Sequence, residues 1–569
     1  MSKPGLRALI IGGYGTFGGR IATLLADEPG LTLVIAGRSA AKAATFCAKL
    51  ARQGGATALV PLPFDRNGDL GAQLAATAPD VVIDATGPFQ TYGAAPYRVV
   101  QACLDLGLPY LDLADGADFV TGIAGFDAVA RARGVPVLSG VSSFPVLTAA
   151  VVRDLTPGWR AVTDIVAGVA PSPHAVVGAN VLRAIASYAG KPVPLVRDGR
   201  PATGQAMTEV RRYTIAPPGV LPLRNTRFAL VEVPDLRVLP PLWPGLRAIW
   251  VGAGTRPESV HWVMTALAWL VRLRLLPSLS PLAPLFHWGA GVLRWGEHRG
   301  GMFVEVSGRD AQGKAITRSW HMVAEGDDGP YIPAMPAAAL VRRWLAGSPP
   351  TPGARAAVSE LDLADYQPLF APRAIRAGVR DTVEPGEPLF ARVMGDAWGR
   401  QPAAWRAAHS VPADQPLVLA GRATVTRGRS LGARLAALVV GFPAGGTDVP
   451  VTVTMTGQRD TERWVRDFAG HRFHSQLHPG RGRSAHLMVE RFGPAAFAQA
   501  LVTEGAAVRL VLLRWTLFGL PLPLWLAPRS DAVETVESTP DGDRFRFDVR
   551  ISHPLAGLIV HYRGWLRPA

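Results

Sequence analysis

Seven residues near the start of the chain, Gly12-Gly13-Tyr14-Gly15-Thr16-Phe17-Gly18, could bind an anion largely through the backbone. Gly13, Gly15 and Gly18 have the spacing G-x-G-x-x-G, after an apolar run over 6–11 and before a helical pattern over 20–26. In that setting Gly13 permits a tight turn, Gly15 lets a pyrophosphate approach the backbone, and Gly18 lets helix and strand pack closely. The helix that follows presents N–H groups with no intrahelical partner, which suit phosphates. The chemistry indicated is dinucleotide binding, with Gly13, Tyr14, Gly15, Thr16, Phe17 and Gly18 as contacts.

The second predicted strand, 31–36, ends in Gly37-Arg38-Ser39, with Lys42 one helical turn on. An Asp or Glu here would accept from a ribose 2′-hydroxyl. Arg38, Ser39 and Lys42 instead suit a 2′-phosphate, which favours NADP over NAD; a solvated loop arginine is the plainer alternative. A strand over 58–61 leads to Asp65, a neighbour for the adenine. A strand over 80–85 leads to Thr86-Gly87-Pro88-Phe89-Gln90-Thr91-Tyr92-Gly93, a loop expected beside the cofactor at the carboxyl end of the sheet. A further repeat gives Tyr110-Leu111-Asp112-Leu113, then a strand over 135–138 before Ser139-Gly140. Tyr92, Asp112 and Asp115 occupy strand-end loops, where a proton donor or substrate anchor belongs. Proton transfer by Tyr-x-x-x-Lys, the device of short-chain dehydrogenases, is excluded: none of the nine tyrosines has Lys four residues on, and Tyr188 has Lys191 at the wrong offset.

The elements that must position these residues belong to a large globular chain. It has 569 residues, 48% hydrophobic and 18% charged, which is too apolar for disorder and long enough for several domains. The net charge of +15 invites a nucleic-acid reading, but of 59 basic residues only Lys3, Lys42, Lys49, Lys191 and Lys314 are lysine, and the arginines are dispersed. No nucleic-acid partner is expected. Cys47 and Cys103 build neither a disulfide framework nor a metal site, and Cys103 reads as a small buried hydrophobe. No secretory h-region follows Met1, so the cytoplasm is the expected compartment.

From about residue 151 the βα rhythm gives way to mixed segments, with strands over 249–254, 302–308 and 316–323 and a helix over 336–345. Glu325, Asp327 and Asp328 could be an acid/base or metal cluster, although a turn rich in Gly and Asp needs no function to explain it. His321 is a candidate proton donor, or a satisfied core histidine, the plainer reading. Beyond a boundary near 376–388, strands over 417–426, 449–458, 464–468, 484–491, 544–551 and 558–565 suggest a curved antiparallel sheet, whose apolar interior could hold a lipid-like ligand. His471, His474, His478 and His486 cross a predicted turn at Pro479-Gly480 with no carboxylate to complete a site, so no metal is expected. The domains expected are a Rossmann domain over 1–150, an α+β substrate domain over 151–375 returning to the Rossmann domain near 331–375, and a β-rich domain over 385–569.

Three apolar stretches, 259–271, 275–293 and 515–528, are too short or too broken by proline to span a membrane. Trp262, Trp269, Arg272, Arg274, Trp288, Arg294 and Trp295 nevertheless mix aromatic and basic residues around apolar ones. Two readings stand: helices packed over a core, and peripheral contact with a membrane surface.

The glycine run at 13–18, Gly37-Arg38-Ser39, Thr86-Gly87-Pro88-Phe89 with Tyr92-Gly93, Ala102-Cys103 with Gly107, and Tyr110 with Asp112 resemble the saccharopine dehydrogenase-like oxidoreductases. The resemblance covers about the first 150 residues. It implies a nicotinamide-binding Rossmann domain with an inserted α/β substrate domain, acting on amino-acid conjugates or, in lipid-pathway branches, on enoyl groups. The chain departs from the family pattern at Asp115-Gly116, where Gly-Glu is usual, and at Gly140-Val141-Ser142-Ser143-Phe144-Pro145. The tail, through Trp464-Val465-Arg466-Asp467-Phe468, Gly519-Leu520-Pro521-Leu522-Pro523, His553-Pro554-Leu555-Ala556-Gly557 and Tyr562-Arg563-Gly564-Trp565, resembles an uncharacterised domain fused behind such domains in bacteria. The resulting expectation is an NADP-dependent oxidoreductase for a small, hydrophobic carbonyl or enoyl substrate. A saccharopine-type dehydrogenase and a redox-inactive NADP-binding scaffold are the alternatives.

Overall fold

The computed structural model describes residues 5–175, 178–292, 295–381, 386–458 and 460–569. They form two compact units, one of 1–211, 227–320 and 324–375, the other of 212–226, 321–323 and 376–569.

In the first unit, strands β1 (Leu6–Ile11), β2 (Leu31–Gly37), β3 (Ala58–Pro63), β4 (Val81–Asp84), β5 (Tyr110–Asp112) and β6 (Pro136–Ser139) lie in the order β3-β2-β1-β4-β5-β6. A later strand, Gly353–Ala356, adds in parallel beside β6. Leu9, Ile10, Val34, Ile35, Val82 and Ile83 are all buried. Such continuous apolar runs are what a parallel sheet covered on both faces requires. The strand order reverses between β1 and β4, which opens a crevice at the carboxyl ends of the strands. Helix α1 (Thr16–Leu24) follows β1, and α2 (Ala40–Ala51) follows β2, starting at Ser39, whose side chain accepts from Lys42 N–H. Helix Met335–Leu345 packs on the same layer, with Arg342 Nε 2.5 Å from Glu28 Oε1.

A second sheet of this unit is built on strand Ala161–Ala170, with Ala248–Gly254 parallel on one side and Arg299–Arg309 antiparallel on the other. Gly168 is needed at its centre: a Cβ there would lie 2.6 Å from the Phe303 ring and 2.9 Å from that of Phe228. Helix Glu258–Arg272 carries the apolar stretch at 259–271. Proline divides the next stretch into a turn at Ser280–Leu282 and helix Ala283–Val292. Among the described residues, no helix is long and apolar enough to cross a membrane.

The second unit carries a closed antiparallel barrel of ten strands, running up and down from Leu417–Arg427 to Gly557–Pro568. Its last strand pairs with its first, from Leu419↔Pro568 to Arg427↔Val560. The short strand Leu520–Leu522 adds outside the ring. The expected curved sheet is therefore a closed barrel, and four of its strands, His471–Pro479, Ala495–Glu504, Ala507–Leu517 and Arg529–Thr539, were not anticipated. Pro479 ends its strand instead of breaking it. Around 488–517 both faces are apolar, because Val489, Ala498 and Ala500 pack outward against Leu221, which erases the two-residue alternation. The expected strand over 484–491 begins only at Met488, after a turn at Gly482–Ser484.

Candidate nucleotide-binding site

A cavity of about 770 Å³ opens at the carboxyl ends of the first sheet. Its floor is the turn from β1 into α1. Gly12, with φ +77°, supplies the left-handed residue of that turn. This corrects the role expected of Gly13, whose Cβ would instead press on Ile10 O at 2.9 Å and Ile35 Cγ2 at 3.0 Å. Gly18 lies under the turn, where a Cβ would stand 2.3 Å from Gly12 O. Gly15, Tyr14, Thr16 and Phe17 line the cavity itself. Helix α1 begins at Gly15 with no side chain capping it. Its first N–H groups and the positive end of its dipole are thus left for an anion.

At the end of β2, the Tyr14 ring lies on Gly37, where a Cβ would fall 2.5 Å from Tyr14 Cε1. The Ser39 N–H donates to the Tyr14 hydroxyl at 3.0 Å. Arg38 is exposed and lines the cavity. Ser39 is engaged as the α2 cap and Lys42 is exposed on that helix; neither is among the lining residues.

Beside Arg38, at the end of the neighbouring strand β3, Asp65 lines the wall and accepts the Asn67 N–H at 3.0 Å. Arg66, which pattern reading passed over, holds the next loop. Its guanidinium lies 3.4 Å from the centre of the Tyr92 ring, its Nε is 3.7 Å from Asp84 Oδ2, and it donates to Pro96 O at 3.1 Å. The buried Asp84 accepts from Thr86 N–H at 3.0 Å and from Thr86 Oγ1 at 2.5 Å, and Thr86 Oγ1 is 2.6 Å from the Tyr92 hydroxyl. Burial raises the Asp84 carboxyl and pushes the Tyr92 phenol well up, the Asp84 charge adding to it. With Asp84 ionised, Thr86 gives it its proton and Tyr92 gives Thr86 its own. The tyrosine expected as a proton donor thereby fixes the loop of Thr86, Gly87, Pro88 and Phe89 along the cavity wall.

The two aspartates differ. Asp112 is fully buried, and its Oδ1 accepts from Ala114 N–H, the Ser139 hydroxyl and Gly140 N–H, each at 2.9 Å. It ties β5 to β6 and is not among the lining residues. Burial pushes it up to about 7 against those three bonds. Asp115 does line the cavity, accepts from Gln90 Nε2 at 2.9 Å, and is raised by burial. Its charge and that of Glu232 act on the buried Tyr188. Glu232 is itself pushed up to about 7 by burial, with Arg237 at 4.0 Å opposing the shift. Sequence reading missed Glu232 and Tyr188 in this role, because nothing in their spacing ties them to Asp115. Arg66 was findable, as the cation beside Asp65. Gly178, at the head of helix Ala179–Tyr188, and Val181 complete the wall.

The residues present suit a nicotinamide dinucleotide: an uncapped helix N-terminus, glycines at the turn, and a cavity within the usual size range for such ligands. The other expected clusters resolve into separate contacts. Asp327 is 3.2 Å from His298, and Asp328 accepts from Ala374 N–H at 2.8 Å. His321 is a core histidine whose Nδ1 accepts from Ala216 N–H at 3.2 Å, against Tyr213 and His486. His471, His474 and His478 share one strand. Among the described residues no group is arranged to hold a metal.

Residues 8–132 match the family model described as saccharopine dehydrogenase NADP binding domain, and residues 402–566 match a domain of unknown function, DUF4166. No curated protein matches. Among solved structures, an apo saccharopine dehydrogenase (L-Glu forming) from Saccharomyces cerevisiae is similar at 13% identity over 67% of this chain and 100% of its own, with a TM-score of 0.47. A probable dehydrogenase from Thermotoga maritima has 10% identity over 61% and 90%, with a TM-score of 0.29. The WlbA (WbpB) dehydrogenase from Thermus thermophilus, in complex with NAD and alpha-ketoglutarate, has 13% identity over 61% and 90%, with a TM-score of 0.27. The first of these matches supports an NAD(P)-dependent oxidoreductase: residues 8–132 carry a saccharopine dehydrogenase-type NADP-binding domain, and residues 402–566 of the same chain carry a DUF4166 domain.

Proposed function

We propose that the chain is an NADP-dependent oxidoreductase that moves a hydride between the nicotinamide and a hydrophobic, lipid-like carbonyl or enoyl substrate. The observation that carries this reading is the cavity floored by the uncapped start of α1, with Arg38 on its wall where an NAD site has a carboxylate. Gly15, Thr16 and Phe17 would hold the pyrophosphate, Arg38 the 2′-phosphate, Asp65 the adenosine side, and Thr86–Phe89 the nicotinamide side.

The choice of substrate rests on charge and on surface. Arg38 and Arg66 are the arginines on the cavity wall, and Arg66 is engaged by Asp84 and Tyr92. With Arg38 given to the cofactor, no lining arginine remains among the described residues for the carboxylates of an amino-acid conjugate. The inserted domain exposes Trp262, Trp269, Leu273, Leu275, Leu285, Trp288 and Trp295, and Arg272 lies over Trp269. This apolar and basic mixture supports peripheral contact with a membrane holding such a substrate; Arg294 lies outside the described residues.

A bound nicotinamide supplies or accepts the hydride. The protein's task is then to hold a proton beside the reacting group and to exclude water. Asp115 is the titratable group on the wall suited to this, since burial keeps its proton on to higher pH than an ordinary carboxyl. Gln90 orients it through its amide, and the charge Asp115 carries once ionised acts in turn on Glu232 and Tyr188.

The test is titration with NADPH and NADH, followed by nicotinamide fluorescence, for the wild type and Arg38→Ala. NADPH should bind more tightly, and Arg38→Ala should weaken NADPH by about tenfold while leaving NADH nearly unchanged. Equal affinities for both nucleotides in the wild type would remove the NADP preference. Oxidation of bound NADPH by a long-chain enal, but not by an amino acid paired with a keto acid, would support the substrate class.

A further inference from the structure

The barrel of the second unit encloses a cavity of about 670 Å³ that side chains do not fill. Eight strands suffice for an interior filled by side chains, so ten leave room for a ligand. The walls are mostly apolar, with Val453, Leu512, Ala532, Phe547 and Ile551 among them. One end is closed by Phe390, Trp405 and His409, whose rings pack on one another.

The other end is a mouth, and the strand registers say what surrounds it. The first strand finishes there at Arg427, opposite Val560, and helix Leu431–Val440 follows. Leu517, opposite Ala495, brings Phe518 and Leu520 to the same end. Arg529, opposite Ser552, brings Trp525 and Leu555 there. Leu431, Leu435, Phe518, Leu520, Trp525 and Leu555 are all exposed, Leu431 at 83% and Trp525 at 71%. Arg429, Arg434 and Arg529 stand exposed among them. Three separate connections thus present apolar residues and cations around one opening, which isolated exposed hydrophobics do not do.

Inside, polar groups form two clusters on the wall. Arg466 is 3.0 Å from Glu490 Oε1 and 2.8 Å from Ser475 Oγ, and Ser475 donates to Glu490 at 2.7 Å. Glu534, also on the wall, accepts from the Trp405 indole at 3.1 Å and is 3.3 Å from His409 Nε2. Arg466 is already matched by the Glu490 carboxylate, and Glu534 holds His409 in the same way, so a fatty acid's own carboxylate finds no unmatched cation at either cluster. An alcohol, ketone or ester could still exchange hydrogen bonds with either cluster.

We propose that the barrel binds one long-chain apolar molecule bearing an uncharged polar group, and exchanges it at an anionic lipid bilayer through the mouth ringed by Leu431, Leu435, Phe518 and Trp525. This site is separate from the nucleotide cavity, so it stands whether or not the proposed oxidoreductase reading holds.

The experiment uses the full chain and pyrenedecanol as the probe. Pyrenedecanol fluorescence should saturate at one probe per chain, and hexadecanol should compete better than hexadecanoate. Val453→Trp and Ala532→Trp each place an indole in the cavity and should weaken the probe by about tenfold or more. Two variants are used because either one alone could unfold; NADPH affinity and the melting temperature check each. An absent or non-saturable signal, or one unchanged by a folded filling variant, would overturn the site, and a preference for hexadecanoate would overturn the uncharged group. Transfer of bound pyrenedecanol to phosphatidylcholine vesicles containing phosphatidylglycerol should speed up with vesicle concentration. Leu431→Glu with Trp525→Glu should slow it about fivefold without changing probe affinity. Transfer independent of vesicle concentration, or unaffected by that variant, would overturn the bilayer as the partner.

Discussion

The guanidinium of Arg66 lies 3.4 Å from the centre of the Tyr92 ring while its Nε faces the buried Asp84 at 3.7 Å, so one side chain fixes both ends of the loop along the cofactor wall. Removing it leaves Asp84 without a cation in an apolar setting. Arg66→Ala is therefore expected to lower stability by about 3 kcal/mol, read from urea unfolding. Tyr92→Phe should cost only about 1 kcal/mol and change kcat by less than about tenfold, because the phenol proton is spent on Thr86. A loss of a thousandfold or more in kcat would show instead that this proton reaches the substrate.

That pair also shows what the sequence could and could not display. The glycines announce themselves because a backbone-only binding site must be written in consecutive residues at fixed spacing. Their division of labour was less legible: Gly12, outside the G-x-G-x-x-G spacing, takes the left-handed turn. Arg66 could be found as the cation beside Asp65, but Glu232 and Tyr188 carried no signal of their roles, since their partner Asp115 lies on another segment and only the folded chain brings them together. Asp112 looked like a catalytic candidate for the same reason that it is a tether: both tasks put a carboxylate at a strand end. The barrel was half legible. Its strands with one wet face alternate clearly, whereas those covered by Leu221 do not.

Two alanine substitutions separate fold from binding in the first turn. Gly18→Ala sets a Cβ 2.3 Å from Gly12 O, a backbone atom that cannot move aside, and should lower the melting temperature by several degrees. At Gly15 a Cβ meets only Gly12 O, at 3.0 Å, and otherwise faces the cavity. Gly15→Ala should leave the melting temperature within about 2 °C while weakening NADPH by about tenfold or more, by calorimetry. Equal damage to stability from both changes would show that Gly15 is held by packing rather than by the ligand.

Asp112 makes a pH prediction whose sign follows from burial. Its carboxyl is pushed up to about 7 in the folded chain, above the unfolded value of about 3.9. Between these values the unfolded chain releases a proton that the folded chain keeps. Stability is thus full below pH 4, falls as pH rises toward 7, and levels off above it. The loss attributable to this group is on the order of 4 kcal/mol. Asp112→Asn keeps an oxygen for Ala114, Ser139 and Gly140 but cannot ionise, so urea midpoints for the variant should decline less over that range. A decline identical to the wild type would move the effect to Asp235 or Glu232, which burial also raises to about 7.

Asp115 should declare its role by pH as well. If it delivers the proton that follows hydride transfer to substrate, reduction needs its acid form and must slow as pH rises through its raised value. The reverse oxidation must quicken over the same range. Asp115→Asn should lower kcat by about a hundredfold or more while leaving NADPH affinity unchanged. The proton can also be observed without substrate, as the carboxylic-acid band in the infrared difference between wild type and Asp115→Asn. Gln90 gives the discriminating variant. Its amide donates to Asp115 at 2.9 Å and holds the carboxyl down against the effect of burial. Gln90→Leu removes that bond, so both the infrared transition and the alkaline limb of the rate should move to higher pH together. A limb that stays in place while the infrared transition moves would show that some other group delivers the proton.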